Sequence, residues 1–243
     1  IIRPHNDPAR VRAFLEKMTL DRHTVVSMEG APQPLEAALS RLDLPEELAT
    51  GDISPQVLVD SLQPIAPREY SLASLPADGR VELVVRQMQR DDGQLGVGSG
   101  WLIAHAAVGS RVEMRVRANR NFHGPEDDRP MILIGAGSGI AGLRAHIKQR
   151  AGQGYDRNWL VFGERHRDVD YLFRDEIEAW HRCGTLARLD LCFMEAGVQR
   201  MVQQVLHDEM DELRRWLDVG AAIYLSGSRA HLAAGVDAAL AEL

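Results

Sequence analysis

Cysteine is nearly missing from this 243-residue chain: Cys183 and Cys192 are its only two. Two thiols are too few for a disulfide framework or a four-thiolate zinc site, which favours a reducing compartment. No apolar run approaches the ~20 residues of a membrane-spanning helix, and no charged-then-apolar leader opens the sequence. An excess of basic charge is lacking too: 28 Lys and Arg stand against 35 Asp and Glu, a net charge of −7. That balance argues against a nucleic-acid binder, which needs a cationic face to release counterions. There is no internal repeat and no low-complexity tract. The nine histidines lack the spacing of a metal site, with His166 and His181 on charged surface and His5 and His123 in loops. What remains is an ordinary globular composition, 45% hydrophobic and 26% charged, rich enough to bury a core. The length suits one large domain or two modest ones. The first residue is Ile1 rather than Met, so the sequence reads as a piece of something longer, in a soluble intracellular setting.

Residues 7–65 read as helical. Asp7-Pro8 is a cap followed by proline at the first helical position, and Val11, Phe14, Leu15 and Met18 supply one apolar face. Pro34 and Ser54-Pro55 open two further amphipathic stretches. From Arg68 the period changes to two: Val81, Leu83 and Val85, then Val112, Met114 and Val116, alternate with their neighbours, with glycine-rich turns between, which predicts β strands. Trp101 to Ala107 reads as a short helix. Asp127-Asp128-Arg129-Pro130 breaks the pattern, and the spacing places a domain boundary between 128 and 129. Beyond it, strands at 131–134, 159–163, 188–193 and 221–226 alternate with helices at 143–151, 170–182, 199–217 and 229–241. That alternation predicts a parallel sheet with crossover helices. The fold class is therefore α/β plus β: a small β domain with a helical insert, then an α/β domain.

Met131-Ile132-Leu133-Ile134 is an apolar strand followed directly by Gly135-Ala136-Gly137-Ser138-Gly139-Ile140-Ala141-Gly142 and then a helix. A strand, a glycine loop and a helix start set backbone N–H groups against a pyrophosphate, because glycines let the backbone approach closely. Gly137-x-Gly139-x-x-Gly142 satisfies the dinucleotide pattern in the right context. No Lys-Ser/Thr pair follows, so this is not a Walker A loop. Glu164 ends the next strand, where a ribose-binding carboxylate often sits; it reads equally as a solvated strand end beside Arg165. Cys183 and Cys192 read as buried structural thiols. The charged run Asp208 to Glu212 with Arg214-Arg215 reads as a solvated helix face with i,i+4 pairs, or as a docking surface.

Arg68-Glu69-Tyr70-Ser71 precedes a second loop, Gly96-Val97-Gly98-Ser99, and both precede the nucleotide loop. In that order they resemble the ferredoxin–NADP reductase superfamily, specifically its diflavin reductases, over nearly the whole chain. His5-Asn6-Asp7-Pro8-Ala9 is similar to the start of the family's helical connecting segment, and Trp159 to Trp180 to its second nucleotide-domain motif. Arg188 to Leu191, Trp216, Gly220-Ala221 and Tyr224 also match. The resemblance implies a partial antiparallel flavin-binding barrel in residues 1–128, with a helical connecting insert over about 7–65, and an NAD(P)-binding Rossmann-like domain in 129–243. It implies FAD as cofactor, with Arg68 neutralising the pyrophosphate, Glu69 beside it, Tyr70 against the isoalloxazine and Ser71 near flavin N5. Gly96, Val97, Gly98 and Ser99 would nest the pyrophosphate. Gly135, Gly137, Ser138 and Gly139 would hold the phosphates of NADPH or NADH, with Arg165 near them and Gln203 at the 2′-phosphate. Catalytic roles would fall to Ser71 and Ser226.

Departures from the family pattern concern the coenzyme and the hydride step. Met194, Glu195, Gln199 and Met201 stand where the family has Ser-Arg, Lys and Tyr around the 2′-phosphate, with Arg200 one position displaced. A carboxylate beside a phosphate dianion repels it. Ser226-Gly227-Ser228 replaces the family's Cys-Gly-Asp, and Arg90 stands where an aromatic is common. The function expected is hydride transfer from NAD(P)H to FAD and onward transfer to an FMN domain, haem or iron–sulfur partner, with FMN only in a separate domain or partner. Two alternatives stay open: an NADH-using flavin reductase with another acceptor such as a ferric chelate, and a degenerate non-catalytic scaffold. The setting expected is cytoplasmic, or tethered at the cytoplasmic face through segments outside the chain.

Overall fold

The structure is a computed structural model that describes residues 1–45, 53–91, 93–195, 198–228 and 232–242. Its chain divides into two compact units, residues 1–70 with 85–117, and residues 71–84 with 118–243. Residues 71–84 and 118–128, which the sequence assigns to the first domain, pack with the second unit.

The first unit opens with α1 (Pro8–Lys17), whose N-cap Asp7 accepts a hydrogen bond from the Ala9 N–H at 2.9 Å. Strands β1 (Val25–Met28) and β2 (Ala31–Pro34) then form an antiparallel hairpin inside a region the sequence predicts to be helical. Its two turn residues, Glu29 and Gly30, both take positive φ (55° and 79°), the geometry that matches strand twist. Pro32 and Pro34 mask the signal, since proline argues against a strand unless the strand lies at an edge. Next come α2 (Leu35–Leu39) and α3 (Pro55–Ser61), the latter capped by the Ser54 hydroxyl. Leu35, Leu39 and Leu58 pack with Val11, Leu15 and Val26 into one core. Asn6 fastens this core to the chain start by donating to the carbonyls of Leu39 and Leu42, at 2.9 and 2.7 Å.

In residues 85–117 a hairpin closes through a Gln89–Leu95 bridge, and α4 (Val97–Gly100) runs on into a π-helical turn over Trp101–His105. The alternating segments around 83 and 114 form only isolated bridges, Leu72–Leu83 and Ile2–Met114, with a further bridge from Ile2 to Arg68. Regular barrel ladders are not formed there among the described residues. Alternation specifies a strand only where something covers its apolar face, and Val81 and Val116 are 44% and 65% exposed.

The second unit carries β3 (Met131–Ala136), α5 (Ile140–Gln153), β4 (Asn158–Glu164), α6 (Arg167–Asp170), α7 (Arg174–Arg182) and β5 (Arg188–Glu195). After these come β6 (Val198–Gln199), α8 (Val202–Asp208), α9 (Met210–Asp218), β7 (Ala222–Ser226) and α10 (Ala234–Leu240). The sheet order is β6-β5-β4-β3-β7; four strands are parallel, as the alternation predicts, and β6 is antiparallel to β5. Residues 131–134 are buried on both faces, which is why they read as an unbroken apolar run. Ile132 and Ile134 meet α8, α9 and α10 on one side, while Met131 and Leu133 meet α5 and α7 on the other.

Two helices differ from expectation. The single helix expected over 199–217 is two, parted at Glu209 (φ −106°), which pairs with Arg188 at 2.8 Å. The helix expected at 170–182 is interrupted by Phe173, whose φ of 58° no helix accommodates. Of the helix expected over 229–241, residues 229–231 lie outside the described residues. Cys183 is exposed, which corrects its reading as a buried thiol; Cys192 is buried.

Candidate functional site

The sheet reverses direction between β3 and β7: the chain leaves β3 toward β4 and β5, then returns to β3's other side through β7. In open α/β sheets the crevice at such a reversal, beyond the carboxyl ends of the strands, is where ligands bind. The glycine loop lies there. Gly137 takes φ +61°, and residues 137–139 make one tight turn that leads straight into α5. No side chain caps α5; its first N–H, that of Ile140, turns back to the Gly137 carbonyl, and the helix start faces the crevice where an anion would be favoured. Gly139 abuts the end of β7 so closely that a Cβ on it would stand 2.1 Å from the Ser226 carbonyl oxygen. The loop and Ser226 therefore share one place, and Ser138 is exposed on its rim. Gly135 is buried inside β3 instead, where a Cβ would meet Leu143 at 2.5 Å; its smallness seats α5 on the sheet.

Beside it, β4 pairs with β3 up to Ala136–Gly163. Glu164 is buried and accepts a hydrogen bond from the Arg165 N–H at 3.1 Å, so it is not a solvated strand end. Arg165 is exposed, and its carbonyl accepts from the Met194 N–H at 3.0 Å, which holds the ends of β4 and β5 together. Gln203 sits on the first turn of α8, half-buried against Gly235. Arg200 is paired with Asp208 at 3.1 Å. The backbone of Glu195 pairs with Val198; the side chains of Glu195 and Gln199 lie outside what is described.

In the first unit, Arg68, Tyr70 and the second glycine loop converge. A Cβ on Gly98 would stand 2.6 Å from Arg68 Cγ and 3.3 Å from the Tyr70 hydroxyl, so only glycine lets the three meet. Arg68 is exposed and steadied by donating to the Ala66 carbonyl at 2.8 Å. The Ser99 hydroxyl, buried, accepts from the Met88 N–H at 2.9 Å and keeps its own O–H as a donor. Burial pushes the Tyr70 phenol up, opposed by the Arg68 charge, so it stays neutral at physiological pH. Glu69 instead faces Arg117 at 2.9 Å. A forked cation, a neutral aromatic ring and the first-turn N–H groups of Val97, Gly98 and Ser99 at one spot fit the pyrophosphate and ring of a flavin nucleotide. Ser71, next in the chain after Tyr70, belongs to the second unit and packs beside Gly142.

Sequence reasoning passed over one group of residues, Arg144 and Lys148 on α5 with Glu82 and Asp78. The available signal was an arginine inside the buried stripe of Ile140, Leu143 and Ile147. Among the described residues no His, Cys, Asp and Glu cluster suits a metal ion, and no helix is long and apolar enough to cross a membrane.

Residues 133–236 match the family model of the oxidoreductase NAD-binding domain, which covers the strand–loop–helix unit and the return strand β7. The chain is 30% identical, over 98% of its length, to the sulfite reductase (NADPH) flavoprotein alpha-component of Salmonella typhimurium, and covers 48% of that protein. It is 34% identical over 79% of its length to the protein of the same name from Mannheimia succiniciproducens, covering 33% of it. The counterpart from Neisseria meningitidis serogroup C is 28% identical over 98% of the chain. Together these matches support a likeness to the ferredoxin–NADP reductase-like diflavin reductase family. The chain spans about half the length of the curated relatives it matches.

Proposed function

We propose that the chain is the FAD- and nicotinamide-binding reductase module of a diflavin-reductase-like protein, passing hydride from NAD(P)H to FAD and electrons onward to an FMN domain or a haem or iron–sulfur protein. The observation that carries this reading is the presence of two separate close-packed glycine loops, one per unit, each suited to a phosphate: Gly98 against Arg68 and Tyr70, and Gly139 against Ser226. One nucleotide site alone would suit many dehydrogenases; two, in this order, suit a flavin and a nicotinamide nucleotide. On this reading the bridged segments at Ile2, Arg68 and Met114 belong to a flavin-binding antiparallel barrel.

Each residue then has a task. Arg68 neutralises the flavin pyrophosphate with its fork, while the N–H groups of Val97, Gly98 and Ser99 and the Ser99 hydroxyl complete the nest. Tyr70 presents a neutral ring to the isoalloxazine, and Ser71 donates a hydrogen bond near the hydride-accepting nitrogen. The loop Gly137-Ser138-Gly139 and the first turn of α5 hold the nicotinamide nucleotide's phosphates, with Arg165 at the neighbouring strand end. Ser226 borders the nicotinamide. Bound flavin supplies the conversion of a two-electron hydride donor into single electrons. The name of the relatives speaks for NADPH, whereas Met194, Glu195, Gln199 and Met201 favour NADH.

The test is an anaerobic titration of the FAD-loaded full chain with NADH and then NADPH, following flavin absorbance. Bleaching by either supports a working reductase, and the ratio of the two rates reports the coenzyme preference. Bound flavin that neither nucleotide bleaches overturns the reading in favour of a scaffold.

A further inference from the structure

Helix α5 starts at the glycine loop, and its buried side carries a cation on each of two successive turns. Arg144, 7% exposed, donates from Nη1 to Glu82 Oε2 at 2.6 Å and to the Ala73 carbonyl at 2.5 Å. Its Nε and Nη2 hold the Glu176 carboxylate of α7, the latter at 3.1 Å to Oε1. The guanidinium also lies 4.4 Å over the ring of Phe173, the residue held in a left-handed conformation. One turn further, Lys148 Nζ reaches Asp78 Oδ1 at 2.6 Å, and the other Asp78 oxygen accepts from the Leu75 N–H at 2.8 Å.

Glu82 and Asp78 belong to the arm of residues 71–84. The arm is closed on itself by the Leu72–Leu83 bridge, by Ala73 N–H to the Glu82 carbonyl at 2.8 Å and by Glu82 N–H to the Ser74 hydroxyl at 2.9 Å. It begins at Ser71, whose Cβ stands 3.7 Å from where a side chain on Gly142 would start. Partly buried ion pairs carry a desolvation cost that apolar packing avoids, and what they add is one defined geometry. Arginine suits that task, because its planar fork engages three acceptors at once where an ammonium presents a single point of charge.

We propose that Arg144, assisted by Lys148, is a positioning residue that clamps the 71–84 arm to α5, so that Ser71 keeps one station against the helix that carries the nucleotide loop. The inference rests on the proposed role of Ser71 beside the flavin. Hydride transfer demands such fixed placement, since a displacement of about 1 Å costs on the order of 10²-fold in rate.

The test compares wild type with Arg144→Lys in the FAD-loaded full chain through three readouts: amide hydrogen exchange over 71–84, nucleotide affinity, and single-turnover flavin bleaching. The clamp requires exchange in the arm to rise roughly tenfold or more while amides of β3 and β4 keep their protection. Nucleotide affinity should stay within about twofold, and bleaching should slow by roughly 10- to 100-fold. Faster exchange with an unchanged bleaching rate would make the arm merely structural and overturn the proposal; unchanged exchange would remove the clamp itself. If Arg144→Lys fails to fold, Glu82→Gln carries the same expectations, because it removes the arm's charge and leaves Arg144 in place. Wild-type flavin that no nucleotide bleaches overturns the proposed function and the positioning role together, and that failure shows before any substitution.

Discussion

An alanine at position 139 has nowhere to put its methyl group. The Cβ would stand 2.1 Å from the Ser226 oxygen, 2.5 Å from the Ser226 carbonyl carbon and 2.9 Å from the Gly227 nitrogen. All three are backbone atoms of β7 and its exit, so no rotamer change relieves the clash. The loop and the strand end must part by about 1 Å, at an overpacking cost of roughly 1–3 kcal/mol. Gly139→Ala should therefore still fold, melting roughly 2–10 °C lower at a few degrees per kcal/mol. The same displacement moves the phosphate-holding N–H groups off their target. The expected result is nucleotide binding weakened by roughly tenfold or more and flavin bleaching slowed by up to about 10²-fold. Isothermal titration with the oxidised nucleotide and stopped-flow absorbance read the two effects separately. Affinity and bleaching both equal to wild type would refute the switch-point site, whatever the melting temperature did.

Arg68→Ala should weaken FAD retention by roughly 10- to 150-fold, the worth of a charged hydrogen bond, with Arg68→Lys recovering only part; fluorescence during an FAD titration reads it, and unaltered retention would remove Arg68 from the flavin site. Glu195→Arg should shift the ratio of bleaching rates toward NADPH by roughly tenfold or more, and an unchanged ratio would sink the assignment of that position to the 2′-phosphate. Burial pushes the Cys192 thiol up to about 11, while Thr185 lowers that of exposed Cys183. At pH 8 a disulfide reagent should therefore modify one thiol quickly and the second only after denaturation; two fast equivalents would contradict the buried β5. Asp78 is held below the ordinary carboxylate range, chiefly by its hydrogen bond from Lys148. Its stabilisation is present above the unfolded value of 3.8 and is lost as pH falls through the depressed folded value. Asp78→Asn should melt below wild type at pH 7, with the gap narrowing as pH falls through the depressed value of Asp78; a gap that does not narrow in acid would show that the charge is not what binds the arm.

The α/β half was legible because its signals are local and mutually consistent. The run 131–134 is buried on both faces, the glycines follow at once, and each later strand is bounded by polar turns. The hairpin at 25–34 was not legible, since two prolines hid a strand whose turn is otherwise explicit in Glu29-Gly30. The segments around 83 and 114 were legible as alternation but are realised as single bridges, because alternation reports a face and not what covers it. At the site, the glycine loops and Arg68-x-Tyr70 could be read from the residues. The contact of Gly139 with Ser226 could not, because it joins positions far apart in the chain. Arg144 was also hidden, since its acids come from an arm about sixty residues upstream and from α7, about thirty residues downstream.

The pairing of β3 with β7 also bears on how the domain is made. Met131 lies beside Ala222, so the strand that opens the sheet waits about ninety residues for the neighbour that completes its crevice. Contacts this distant along the chain close slowly, and during synthesis β7 leaves the ribosome after every other strand. β3, β4 and β5 can pair first, but they cannot yet present the floor that Gly139 rests on. Affinity for a nucleotide should thus switch on abruptly with the docking of β7, which makes ligand binding a timer for the end of folding in this unit. A nascent-chain series truncated on either side of Ser226 would read that timer directly.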